Sequence, residues 1–126
     1  MKAMRIPVAV LVVLLLASLA DAFLLTRQCT YWTEHIDEVE HQAMQENWAQ
    51  ARASADALRE NWSKWQTYLH ILIDHDEIDH AEELMALCDL HIEEKDTAAL
   101  RVTVSQLRSQ FSLLAETEQL NVKNVL

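Results

Sequence analysis

Two Glu-x-x-His quartets stand out in this 126-residue chain, Glu38-Val39-Glu40-His41 and Glu77-Ile78-Asp79-His80. On a helix that spacing puts a carboxylate and an imidazole on one face, the way carboxylate-bridged di-metal bundles build each half of their centre. Such a centre needs both quartets at one level, plus a Glu from each remaining helix. If the quartets lie on the first and third helices of a bundle, Glu38 falls about twelve residues past the start of its helix above a membrane, and Glu77 about three, a separation of roughly 14 Å. The di-metal reading is therefore set aside.

The stretch Asp74-His75-Asp76-Glu77-Ile78-Asp79-His80 is weighed on its own. As a calcium loop it fails, since Ile78 takes the fifth position, Asp79 the place of the glycine and Met85 that of the closing Glu. His75 with Asp79, and Asp76 with His80, are four apart on a helix and suit a shared cation or a hydrogen bond. His75, Glu77, Asp79 and His80 are thus the metal candidates of a sensing module. The simpler reading is preferred: a helix cap at Asp74 or Asp76, and a histidine buried beneath Trp65 or Trp62 and satisfied by a carboxylate. No catalytic residue, cofactor or metal is assigned. His35, His70 and His91 are read as solvent-facing or rim residues.

The elements that must position these residues are helices. From Arg27 to Leu126 there is neither Gly nor Pro, so phosphate-cradling loops and nucleophile elbows have no material. Apolar residues recur in steps of three and four, the period of one helix face. The first stripe runs Leu25, Cys29, Trp32, Ile36, Val39, Ala43. The second runs Trp48, Ala51, Ala55, Leu58, Trp62, Trp65, Leu69, Leu72, and its rhythm then lands on Asp76, Asp79 and Glu83, so the helix should stop near Ile73. The third restarts as Ile78, Ala81, Met85, Cys88, Ile92, widened by Leu84, Leu87 and Leu90. The fourth reads Leu100, Val104, Leu107, Phe111, Leu114, behind an N-cap at Asp96 or Thr97. Short connections make these four helices antiparallel neighbours, an up-down-up-down bundle. The fourth would return to the start of the first, placing Val122, Val125 and Leu126 near a bilayer or under the bundle's end. The fold class is all-α: an N-terminal transmembrane helix over residues 1–25, then a small antiparallel bundle of four helices over 26–126.

Ile6 to Leu25 is one apolar run broken only by Asp21, and twenty residues at helical rise make about 30 Å, enough to cross a hydrocarbon core. Lys2 and Arg5 before it favour a cytoplasmic N-terminus and an external domain. The competing reading is a signal peptide cleaved after Ala22, with Ala20-Asp21-Ala22 as the small-residue site and a secreted domain as product. Apolarity resuming at Phe23, Leu24 and Leu25 favours an anchor. Of ten basic and twenty acidic residues, Lys2, Arg5 and Asp21 precede Arg27, leaving eight against nineteen in the domain. That balance excludes nucleic acid and anionic lipid as partners. Ten of the acids lie between Asp74 and Asp96, against one Lys95, either a solvated face or a docking surface for a basic protein. Cys29 and Cys88 fall on stripe positions, where a bridge and two buried thiols are both open. Asn61-Trp62-Ser63 is formally a glycosylation sequon, discounted because its Trp belongs to a core stripe.

The run Asn47-Trp48-Ala49-Gln50-Ala51, then Trp65, then His75 with Glu77-Ile78-Asp79, and the closing Asn124-Val125-Leu126 resemble an uncharacterised bacterial family, DUF4363, of short proteins with one N-terminal membrane segment and a helical domain. Val125 departs from the family's Ile. The resemblance implies topology and no activity, and relatives are often encoded beside multi-pass membrane proteins, which implies a membrane partner. The expectation is a non-enzymatic protein of the bacterial cell membrane, an accessory or interaction subunit of an envelope complex. The alternative is a metal- or pH-sensing module at His75 to His80.

Overall fold

A computed structural model describes residues 2–125, with the side chains of residues 121, 122 and 125 left aside. The expected placement of Val122, Val125 and Leu126 lies outside the described residues. Among them the chain forms four helices and no strand: α1 (Lys2–Met44), α2 (Trp48–Leu72), α3 (His75–Glu93) and α4 (Thr97–Val125). Each packs on its sequence neighbours and α4 closes the ring onto α1. The pairings run in opposite senses along α1 and α2: Gln42 meets Ser54, Trp32 meets Asn61 and Asp21 meets Tyr68. Arg108 with Asp37 and Gln119 with Thr26 set the same antiparallel register for α4 on α1.

The stripes predict the core. Every residue named for the first and fourth is buried, as are Ala51, Ala55, Leu58, Trp62 and Leu69 of the second, while Trp48, Trp65 and Leu72 pack at its margin. Ile78, Ala81, Leu84, Met85, Cys88 and Ile92 line the core from α3. Leu87 and Leu90 do not: they stand 42% and 45% exposed, facing away from the seam. Widening the α3 stripe by three leucines was thus correct for Leu84 alone, because the acid-flanked far side of α3 packs on no other helix.

Helix ends explain how the chain turns without glycine. After α1 the Asn47 N–H reaches the Gln42 carbonyl and the Glu46 N–H that of Ala43, with Glu46 at φ 61°. After α3 the Asp96 N–H reaches the His91 carbonyl and the Lys95 N–H that of Ile92, with Lys95 at φ 54°. Both are Schellman closures with an ordinary residue in the left-handed position that glycine usually takes. Asn47 then caps α2 by accepting from the Gln50 N–H, and Asp96 caps α4 by accepting from that of Ala99. Asp74 takes the N-cap position of α3 but makes no side-chain cap bond, contrary to expectation. Left-handed φ costs an L-residue about 1–2 kcal/mol, partly offset in glycine by its larger unfolded-state entropy. Glu46→Gly and Lys95→Gly are each expected to stabilise the bundle by about 0.5–1 kcal/mol, read as a rise in thermal midpoint. Unchanged or lower midpoints would contradict the assignment of these turns.

Candidate functional site

Trp32, Trp62 and Phe111 form the centre of the bundle, with ring centroids 4.8 Å apart for the tryptophan pair and 5.7 Å from Trp32 to Phe111. Trp32 Nε1 donates to Asn61 Oδ1 at 2.8 Å, and Trp62 Nε1 donates to Glu82 Oε1 at 3.1 Å. Each buried indole thus has its donor satisfied by a neighbouring helix. Asn61 and Trp62 of the sequon are accordingly engaged in packing.

The two Glu-x-x-His quartets are not brought together. Glu38 accepts from Gln42, and His41 pairs with Gln45 on its own helix. Glu77 is held by α4: Gln110, buried at 6% exposure, donates through Nε2 to both the Glu77 backbone carbonyl and its carboxylate, at 2.9 and 2.8 Å. With Ile78 fully buried beside it, this fixes the start of α3 on α4. Glu77 is thus engaged in packing, which sequence spacing alone did not show; the signal available was a lone Gln at a core-facing phase of α4.

Among the described residues, no group of three or more His, Cys, Asp and Glu side chains forms a metal set. His75 and His80 are exposed, which corrects the expectation of a histidine buried beneath Trp65 or Trp62. Both lie on the outer side of the first turns of α3, where Ile78 and Ala81 are buried against the core. His80 Nδ1 faces Glu83 at 3.9 Å, and Asp79 is exposed. What the fold does bring together is His75 with His70: their Nδ1 atoms are 2.8 Å apart across the α2–α3 turn.

Of the ten acids around α3, Glu82 and Glu77 are taken up as above and Asp89 pairs with Arg59. Of the exposed remainder, Glu83 and Glu94 flank Leu87 and Leu90, so Glu83, Leu87, Leu90 and Glu94 follow one another at steps of four, three and four along one outer face.

Cys29 and Cys88 are buried free thiols. Burial pushes both up to about 12, which keeps them protonated and unreactive at neutral pH. Since the folded state holds these protons more tightly than the unfolded chain, stability is fully present below about pH 9 and is lost as pH rises from 9 towards 12. Thermal midpoints should hold level from pH 6 to about 8.5 and then fall, and Cys29→Ala with Cys88→Ala should flatten that fall. An equally steep fall in the double variant would contradict this cause.

Nearer the N-terminal half of α1, Tyr68 donates to Asp21 Oδ1 at 2.5 Å. Burial first, then the Asp21 hydrogen bond and charge, raises the Tyr68 hydroxyl above its ordinary value. Asp21, the one charge in the apolar run, is thus tied to the bundle.

The family model for the domain of unknown function DUF4363 matches residues 22–125, the part of the chain that builds the bundle. The chain belongs to this family. No curated protein and no solved structure matches it. The DUF4363 match begins at Ala22, which is also where α1 enters the bundle: Ala22 and Leu25 are buried, whereas Ile6 to Ala20 stand exposed or half-exposed. Among the described residues, α1 is the one helix of this DUF4363 chain long and apolar enough to cross a membrane.

Proposed function

We propose that this protein is a membrane-anchored, non-enzymatic helical bundle of the bacterial envelope whose α3 face docks another protein, as an accessory or interaction subunit. The observation that carries it is the outer face of α3. Leu87 and Leu90 are exposed between Glu83 and Glu94, and apolar residues ringed by charge are what a protein interface buries. A basic partner surface complements the flanking acids. The non-enzymatic reading is supported by the two thiols, pushed up to about 12, and by the open form of a surface depression of about 620 Å³ between α1 and α4. The apolar half of α1 supports an anchor with Lys2 and Arg5 on the cytoplasmic side.

A photo-crosslinking residue placed at Leu87 or Leu90 tests this in intact membranes. Discrete adducts from these positions, weakened by Glu83→Lys and Glu94→Lys and missing from Val102 on α4, are expected. The same pattern of adducts from all three positions, or none from α3, overturns the docking reading.

A second reading, a transition-metal or pH sensor, is supported by the His70–His75 contact and shifts the centre away from His80. Two imidazole nitrogens bound side by side at about 2.0–2.1 Å from one ion sit close to the observed spacing. Zn2+ or Ni2+ should then raise the thermal midpoint of the detergent-solubilised chain, with His70→Ala or His75→Ala abolishing the rise and His80→Ala leaving it. No rise in the parent chain dismisses the metal sensor.

A further inference from the structure

The freely exposed part of the apolar run is too short for its task. Ala22 and Leu25 are buried in the bundle, which leaves Ile6 to Ala20, fifteen residues or about 22 Å of helix, against a hydrocarbon core of about 30 Å. Tilting the helix reduces its reach further. The deficit falls at the bundle end, because Lys2 and Arg5 mark the opposite headgroup layer.

At that end the bundle carries a ring of exposed apolar side chains from three helices. Phe23 and Leu24 on α1 are 66% and 42% exposed, Ile71 at the end of α2 is 77% exposed and Leu120 on α4 is 58% exposed. The antiparallel register puts them at the same end of the bundle, within about 10 Å of one another along α1: Tyr68, three residues before Ile71, bonds Asp21, and Gln119, next to Leu120, bonds Thr26. The collar is continuous with the exposed apolar surface of α1. Its polar members fit a headgroup layer: Tyr68 has its hydroxyl on Asp21, and Asp74 and Asp76 are exposed on the adjacent turn.

We infer that the base of the bundle is seated in the lipid headgroup layer, with Phe23, Leu24, Ile71 and Leu120 embedded in the bilayer and completing the span that Ile6 to Ala20 begins. This rests on the anchor reading above. The domain is held against the membrane surface, and α3, starting at the lipid-proximal turn, presents Leu87 and Leu90 further out.

The test uses the full chain in phosphatidylcholine vesicles, carrying Ile71→Cys, Leu120→Cys or, at the far end of α4, Val102→Cys, each labelled with an environment-sensitive fluorophore. Cys29 and Cys88 are buried and stay unlabelled at neutral pH. Probes at 71 and 120 are expected to shift to the blue and to be quenched several-fold by lipids spin-labelled near the headgroup, with the probe at 102 unchanged from buffer. If the protein floats with the vesicles but the probes at 71 and 120 behave like that at 102, the seating is wrong and the anchor stands. If the protein does not float, the anchor reading fails and the seating with it.

Discussion

Trp32→Ala is expected to destabilise the bundle by about 3–5 kcal/mol, a large part of the 5–15 kcal/mol typical of a domain. Trp32 is fully buried and stacks against both Trp62 and Phe111, so its loss opens a cavity at the junction of three helices. It also strands the Asn61 carbonyl, which accepts the indole N–H. Trp32→Phe keeps most of the volume and should cost less, about 1–3 kcal/mol. Denaturant unfolding followed by circular dichroism reads both. A cost for Trp32→Ala below about 1 kcal/mol would mean that this aromatic centre does not hold the helices together.

The second large effect concerns the exposed half of α1. Leu11→Arg with Leu14→Arg places two charges near the middle of the apolar segment, at about 2.5–3.5 kcal/mol each against insertion. Both side chains are exposed, at 63% and 60%, and lie outside the core. The double variant should therefore leave the membrane fraction while keeping the thermal midpoint of the bundle. Retention of the variant in carbonate-washed membranes would contradict anchoring by this segment.

The core was legible because its period is regular: Leu25 to Ala43 and Leu100 to Leu114 keep one phase throughout, and all their named members are buried. The breaks were legible where the phase failed, as at Ile73, which caps the end of α2. Leu87 and Leu90 were misplaced because a stripe shows which residues are apolar and not how wide the facing surface is. Apart from Gln110 at a core-facing phase of α4, the polar ties between helices left no periodic trace. Asp21 with Tyr68, Glu77 with Gln110 and His70 with His75 join residues 47, 33 and 5 apart in sequence, distances that depend on the register of neighbouring helices. The resemblance to DUF4363 came from Trp48, Trp65 and the His75–Asp79 element, and the fold gives these local jobs: packing at the core margin for the tryptophans, and fixing the start of α3 for Glu77 and Ile78.

The central claim is that α1 stays whole, one helix carrying the bundle from the bilayer to its core. Cleavage after Ala22 would remove Asp21, the hydrogen-bond partner of Tyr68, and the apolar turns before it. The intact mass of the protein extracted from membranes tests this most directly. A species that retains residues 1–22 in the membrane fraction is expected; a mature species that begins at Phe23, recovered outside the membrane, would overturn the continuity of α1.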